Sequence, residues 1–89
     1  MADSVDRVAA GEPRSVRDLV VGETAILGVP EVDRAQRIRL AELGMRPGQP
    51  VTLVQRGVGG ARVVSVSGSR IALDARTSGR IPVTGGGGA

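Results

Sequence analysis

The 89-residue chain has no cysteine, no histidine, no lysine and no aromatic residue. Each absence removes a class of chemistry. Without cysteine there is neither a disulfide framework nor a thiolate site, and without histidine the commonest metal ligand and the usual neutral-pH general base are missing. The carboxylates are Asp3, Asp6, Glu12, Asp18, Glu23, Glu31, Asp33, Glu42 and Asp74, scattered rather than clustered. That spacing does not bring several oxygens onto one hard cation, so neither metal nor cofactor is expected. The lack of aromatics removes stacking platforms for single-stranded bases. No nucleophile, base and orienting group assemble, so the chain is not expected to be an enzyme. No apolar run approaches the ~18 residues of a spanning helix, so direct membrane insertion is not expected. The opening MADSVDRVAAGEPR carries early acids and no apolar core, unlike a signal peptide, and predicts a cytoplasmic protein.

What the chain does have is small and branched. Valine, leucine and isoleucine, at 14, 6 and 4 copies, must fill the interior of one domain. Branched aliphatics favour strands. Burying each contributes about 1.5–3 kcal/mol, most of which backbone entropy offsets. The 12 basic residues are all arginine and give a formal charge of +3. A GC-rich coding bias explains their abundance together with Val, Gly and Ala; an anion-binding surface is the rival account. They are spread among acids along the whole chain, and no stretch is a basic tract.

Residues 1–14 are polar and unpatterned and read as an N-terminal tail. Ser15 with Asp18 is a capping pair that starts a one-turn helix carrying Val16 and Leu19 to the core. Glu23 to Val29 reads as a strand. Asp33 with Gln36 caps a helix expected over Arg34 to Leu43, with Leu40 and Leu43 on its buried face. Gly44 takes the left-handed position that ends it, and Pro47–Gly48 makes a type II turn into the next strand. Further strands are expected at Val51–Arg56, Arg62–Val66, Arg70–Leu73 and Ile81–Val83. A glycine hairpin at Gly57–Gly60, a tight turn at Ser67–Ser69 and a short turn at Asp74–Gly79 connect them. The glycine loop is not a phosphate cradle, since no Walker-type lysine and no helix follow. Residues 85–89 are a glycine-rich tail.

Within this order, RLAELGMRPG (39–48) joins a helix ending in Arg-Leu-x-x-Leu-Gly-Met to a Pro-Gly turn. It resembles the signature of the bacterial ferrous iron transport protein A (FeoA) family. The likeness extends to Val16, Leu19, Gly22, Ala25 and Ile26 before it, and to Val64, Val66, Gly68, Ile71, Ala72, Leu73, Ile81 and Val83 after it. Ser15 to Val83 is covered, about three quarters of the chain. The resemblance implies a mainly β fold over residues 15–84: a small SH3-like barrel of about five strands with a short helical insertion. It further implies a cytosolic accessory of ferrous iron uptake, acting by contact with the GTP-binding part of the membrane transporter FeoB and recruited through it to the inner face of the membrane. Self-association is left open. Where family members carry Arg-Ala-Pro-Leu-Gly, this chain has Arg56 to Ala61, and a typical Glu-Ala of the last turn is replaced by Thr77 and Ser78.

Two alternatives share the barrel. One is a nucleic-acid-binding module of the ribosomal or transcription-factor type, which the helix signature argues against. The other is the SH3-like domain of an iron-dependent repressor without its DNA-reading helices. Polyproline recognition needs an aromatic groove that this chain cannot build. The contact candidates are Ile38, placed by helical spacing nearly opposite Leu40 and Leu43, and Val58 at the hairpin tip, where relatives carry Leu. Arg37 and Arg56 are candidates for an arginine supplied in trans to GTP.

Overall fold

Strict alternation of inward aliphatics writes a single sheet. In the computed structural model, which describes residues 14–85, six strands run antiparallel in the order β1-β6-β2-β3-β4-β5. They are β1 (Arg14–Ser15), β2 (Thr24–Leu27), β3 (Pro50–Arg56), β4 (Arg62–Val66), β5 (Ser69–Leu73) and β6 (Pro82–Thr84). Ala25 and Leu27, Val51 and Leu53, Val64 and Val66, Ile71 and Leu73, and Val83 point inward. Val16, Leu19, Leu40, Met45 and Ile81 complete a core with no aromatic member. The tail expectations for residues 1–13 and 86–89 lie outside the described residues.

The sheet curls because β3 carries a register shift between Leu53 and Gln55, which bends the strand. Its two ends are then joined by other means. Arg62 on β4 donates from Nη2 to Arg17 O (3.2 Å) in the turn that follows β1. Helix α2 (Ala75–Ser78), which follows β5, packs on the 3₁₀ turn Val16–Asp18 that follows β1. The result is the SH3-like architecture expected, mainly β with one helix of nine residues, α1 (Arg34–Glu42).

Several local expectations shift. A sixth strand exists because Arg14 and Ser15 pair with Val83 and Pro82, a two-residue ladder too short to carry a pattern. Arg14 therefore belongs to the sheet rather than to the preceding tail. The Asp74–Gly79 turn is a helical turn, because Asp74 accepts from Thr77 N–H (2.6 Å) and caps it. β2 is two residues shorter at its end than expected, as Gly28 N–H donates to Pro82 O.

Candidate functional site

Helix α1 starts as the sequence dictates and ends one residue early. Gln36 N–H donates to Asp33 Oδ1 (2.8 Å), closing the cap. Leu43 is the last capping residue with φ −84°, and Gly44 follows at φ +100°. The reversal changes which side chain goes in. Leu40 is buried, but Leu43 is 46% exposed and Met45 takes the interior place at 1%. Leu43 thus departs from the buried face assigned to it by three-residue spacing, because the spacing argument holds only while the chain stays helical. Pro47 and Gly48 (φ +92°) form the expected type II turn, closed by Gln49 N–H to Arg46 O (3.1 Å).

The four contact candidates fall into two separate places. Arg37 and Ile38 are exposed on α1, Ile38 at 50%. Arg56 and Val58 belong to the β3–β4 hairpin, where Val58 is 97% exposed and Arg56 Nη2 stands 3.5 Å from Leu19 O. Arg37 and Arg56 therefore sit on different elements.

Two hollows flank α1. The larger, about 540 Å³, is polar, and its carboxylates Asp33 and Asp74 are both committed to capping the helices behind them. The Thr77 backbone N–H holds the Asp74 carboxyl below the usual carboxylate range, with the Thr77 hydroxyl and Arg76 adding to the effect. The smaller, about 200 Å³, lies between α1 and β5 and has an apolar lining from Leu40, Leu43, Ile71 and Leu73, with Arg39 at its rim. Sequence reading missed this cleft. Its one available signal was Leu43, a large aliphatic immediately before a left-handed glycine, where helical periodicity no longer applies.

Charge is unevenly used. Among the described residues the ion pair is Arg14 Nη2 to Glu23, 2.8 and 3.0 Å to the two carboxylate oxygens, which Val20 N–H also approaches at 3.1 Å. Asp18, Asp33 and Asp74 accept backbone N–H bonds. The guanidinium groups of Arg34, Arg37, Arg39, Arg70, Arg76 and Arg80 have no hydrogen-bond or ion-pair partner among the described residues, leaving a surface rich in unpaired positive charge. No three metal-ligating side chains come together among the described residues. None of the described helices is long and apolar enough to cross a membrane.

A search of curated proteins finds no match. Comparison with solved structures does. The FeoA of Stenotrophomonas maltophilia, a prokaryotic SH3 domain protein complexed with zinc and proposed as a ferrous iron transport activating factor, is 28% identical. The likeness covers 80% of this chain and 89% of that one, with a TM-score of 0.68. The present chain carries neither His nor Cys, two of the usual zinc ligands. The FeoA protein of Chlorobium tepidum is 21% identical over 79% of this chain and 68% of its own, with a TM-score of 0.74. A manganese-dependent transcriptional repressor shares the fold at 16% identity and a TM-score of 0.70, over 81% of this chain and 41% of that one. The model of the FeoA domain matches residues 14–84, and with the capped helix, the Gly44 reversal and the Pro47–Gly48 turn in place, this chain belongs to the FeoA family of ferrous iron transport.

Proposed function

We propose that the chain is a non-catalytic accessory of ferrous iron uptake in the cytoplasm, acting by contact with the cytosolic GTP-binding part of FeoB. The observation that carries this reading is the FeoA-domain match along the whole barrel, together with an apolar cleft on a surface otherwise crowded with unpaired arginine. A small domain without a catalytic constellation has binding as its remaining means of action. It regulates a transporter only by its different affinity for two of that transporter's states.

The test is direct association of the full chain with the purified cytosolic part of FeoB, followed calorimetrically. Leu43→Glu, at the cleft wall, should weaken binding on the order of tenfold or more, as loss of a central apolar anchor does. Ile38→Glu and Val58→Glu report how far the contact spreads to the other side of α1 and to the hairpin. Double-stranded RNA serves as the control ligand. RNA binding that falls steeply with salt, about 0.9 in logarithmic slope per phosphate contacted, and no affinity for FeoB would overturn the reading in favour of a nucleic-acid module.

A further inference from the structure

Strand β5 ends the sheet, and register decides which of its backbone groups are unused. Ser67 and Gly68 both have positive φ, 51° and 80°, the geometry of a two-residue type I′ hairpin between Val66 and Ser69. The pair flanking such a turn exchanges both hydrogen bonds, and bonded and non-bonded pairs then alternate along the ladder. Val66–Ser69, Val64–Ile71 and Arg62–Leu73 are therefore bonded, whereas Ser65–Arg70 and Val63–Ala72 are not. The N–H and C=O groups of Arg70 and Ala72 point away from β4. No hydrogen bond to them is found among the described residues.

The cleft lies along that same edge. It is lined by Ile71 and Leu73, which face the core, and by Ala72, which faces outward, so it reaches around the free side of the strand. Helix α1 forms the opposite wall. The Gly44 end of the helix stands beside Ser67, where a Cβ on the glycine would lie 3.3 Å from Ser67 Cβ, and its Gln36 end shares the cleft with Asp74 and Thr77. Helix and strand thus run side by side with a hollow of about 200 Å³ between them, room for one aliphatic side chain.

We propose that this cleft accepts an extended segment of a partner protein that pairs with β5 as an added strand, inserts one aliphatic side chain against Leu40 and Leu43, and carries carboxylates on the same face, beside Arg39. Main-chain pairing supplies affinity in such complexes and the pocket for a single side chain supplies selectivity. Charge sets the third requirement. The Arg39 guanidinium lines the cleft, exposed and without a side-chain partner among the described residues, and the exposed Arg70 on the outer face of β5 adds positive charge to this edge, so an acidic segment gains what a basic one loses. The one carboxylate in the cleft, Asp74, sits at the Thr77 end and already accepts the Thr77 N–H. A second copy of this chain is the poorer occupant, because pairing two β5 edges would set the arginines of both copies against each other. The proposal rests on the reading that the domain works through protein contact and names the kind of segment it would hold.

The experiment uses the full isotope-labelled chain and three blocked heptapeptides: TETLTET, its basic counterpart TKTLTKT, and TETLTET N-methylated along its backbone. Titration of TETLTET should shift the amides of Arg70–Leu73, Leu40 and Leu43 and slow hydrogen exchange at Arg70 and Ala72. The basic and N-methylated peptides should each bind more weakly, on the order of tenfold. Ala72→Pro, which removes one outward N–H, should show the same loss; because this variant could also distort the strand, the N-methylated peptide tests the pairing with the chain itself intact. No shift at millimolar TETLTET, equal binding by the N-methylated peptide, or shifts confined to other surfaces would overturn the proposal. So would β5 shifts and a doubled mass in the chain alone as its concentration rises, which would identify a second copy as the occupant. Competition separates the two levels of the argument. FeoB binding that TETLTET does not displace refutes the strand cleft and leaves the accessory function standing, whereas peptide binding at β5 without any FeoB affinity refutes the function and leaves the cleft.

Discussion

The reversal at Gly44 makes Met45, not Leu43, the core residue of this segment, and paired truncations measure that choice. Met45 is 1% exposed in an interior of aliphatic side chains, and its N–H donates to Leu40 O at 2.9 Å. Cutting a buried methionine to alanine removes its burial and leaves a cavity, a loss of about 2–5 kcal/mol. A domain of this size has a total stability on the order of 4–10 kcal/mol, and each kcal/mol shifts the melting temperature by about 4–8 °C. Met45→Ala should therefore lower it by roughly 10–30 °C or leave the chain largely unfolded. Leu43 is 46% exposed. A full burial worth about 1.5–3 kcal/mol is only half realised there, so Leu43→Ala should cost less than about 1.5 kcal/mol. Urea unfolding followed by far-ultraviolet circular dichroism reads both, since the chain has no aromatic fluorophore. A Leu43→Ala cost equal to or above that of Met45→Ala would refute the assignment and restore the leucine to the core.

Three further outcomes are expected. Gly44→Val should destabilise by about 1–3 kcal/mol in the same assay, because a β-branched residue is strained at φ +100° and its Cβ would press on Ser67; an unchanged urea midpoint refutes this. Arg14→Ala removes two charge-assisted bonds to the buried Glu23 carboxylate, and with Arg14 about a third exposed the expected loss is about 1–2 kcal/mol; an unchanged midpoint would mean that the pair contributes nothing. Asp74 is held below its ordinary range in the folded state, so its ionised cap stabilises above the unfolded carboxylate's pKa and that contribution fades as pH falls through the lower, folded value. Asp74→Asn should keep the cap but flatten the acid limb of the urea midpoint against pH; an unchanged limb refutes the assignment.

The sequence by itself determined the family, five of the six strands, and the caps at Ser15–Asp18 and Asp33–Gln36, because these depend on neighbours a few residues apart. Asp33 and Gln36, Gly44, and Pro47–Gly48 act within one turn of chain, and the alternating Val64, Val66, Ile71 and Leu73 declare an inner face whatever they pack against. The exposures of Ile38 and Val58 were legible for the same reason. Tertiary structure alone decided the rest. Leu43 was turned out because a left-handed residue breaks the helical period after it, and Met45 was turned in. Arg14 joined the sheet because β6 offered it Val83, 69 residues later. The cleft needed two such decisions together: β5 had to finish at an edge of the sheet, and α1 had to lie beside it, anchored by Leu40 as its one buried residue. Contacts between residues 30 positions apart leave no periodic trace in a single chain, so local physics could write the elements but not the space between them.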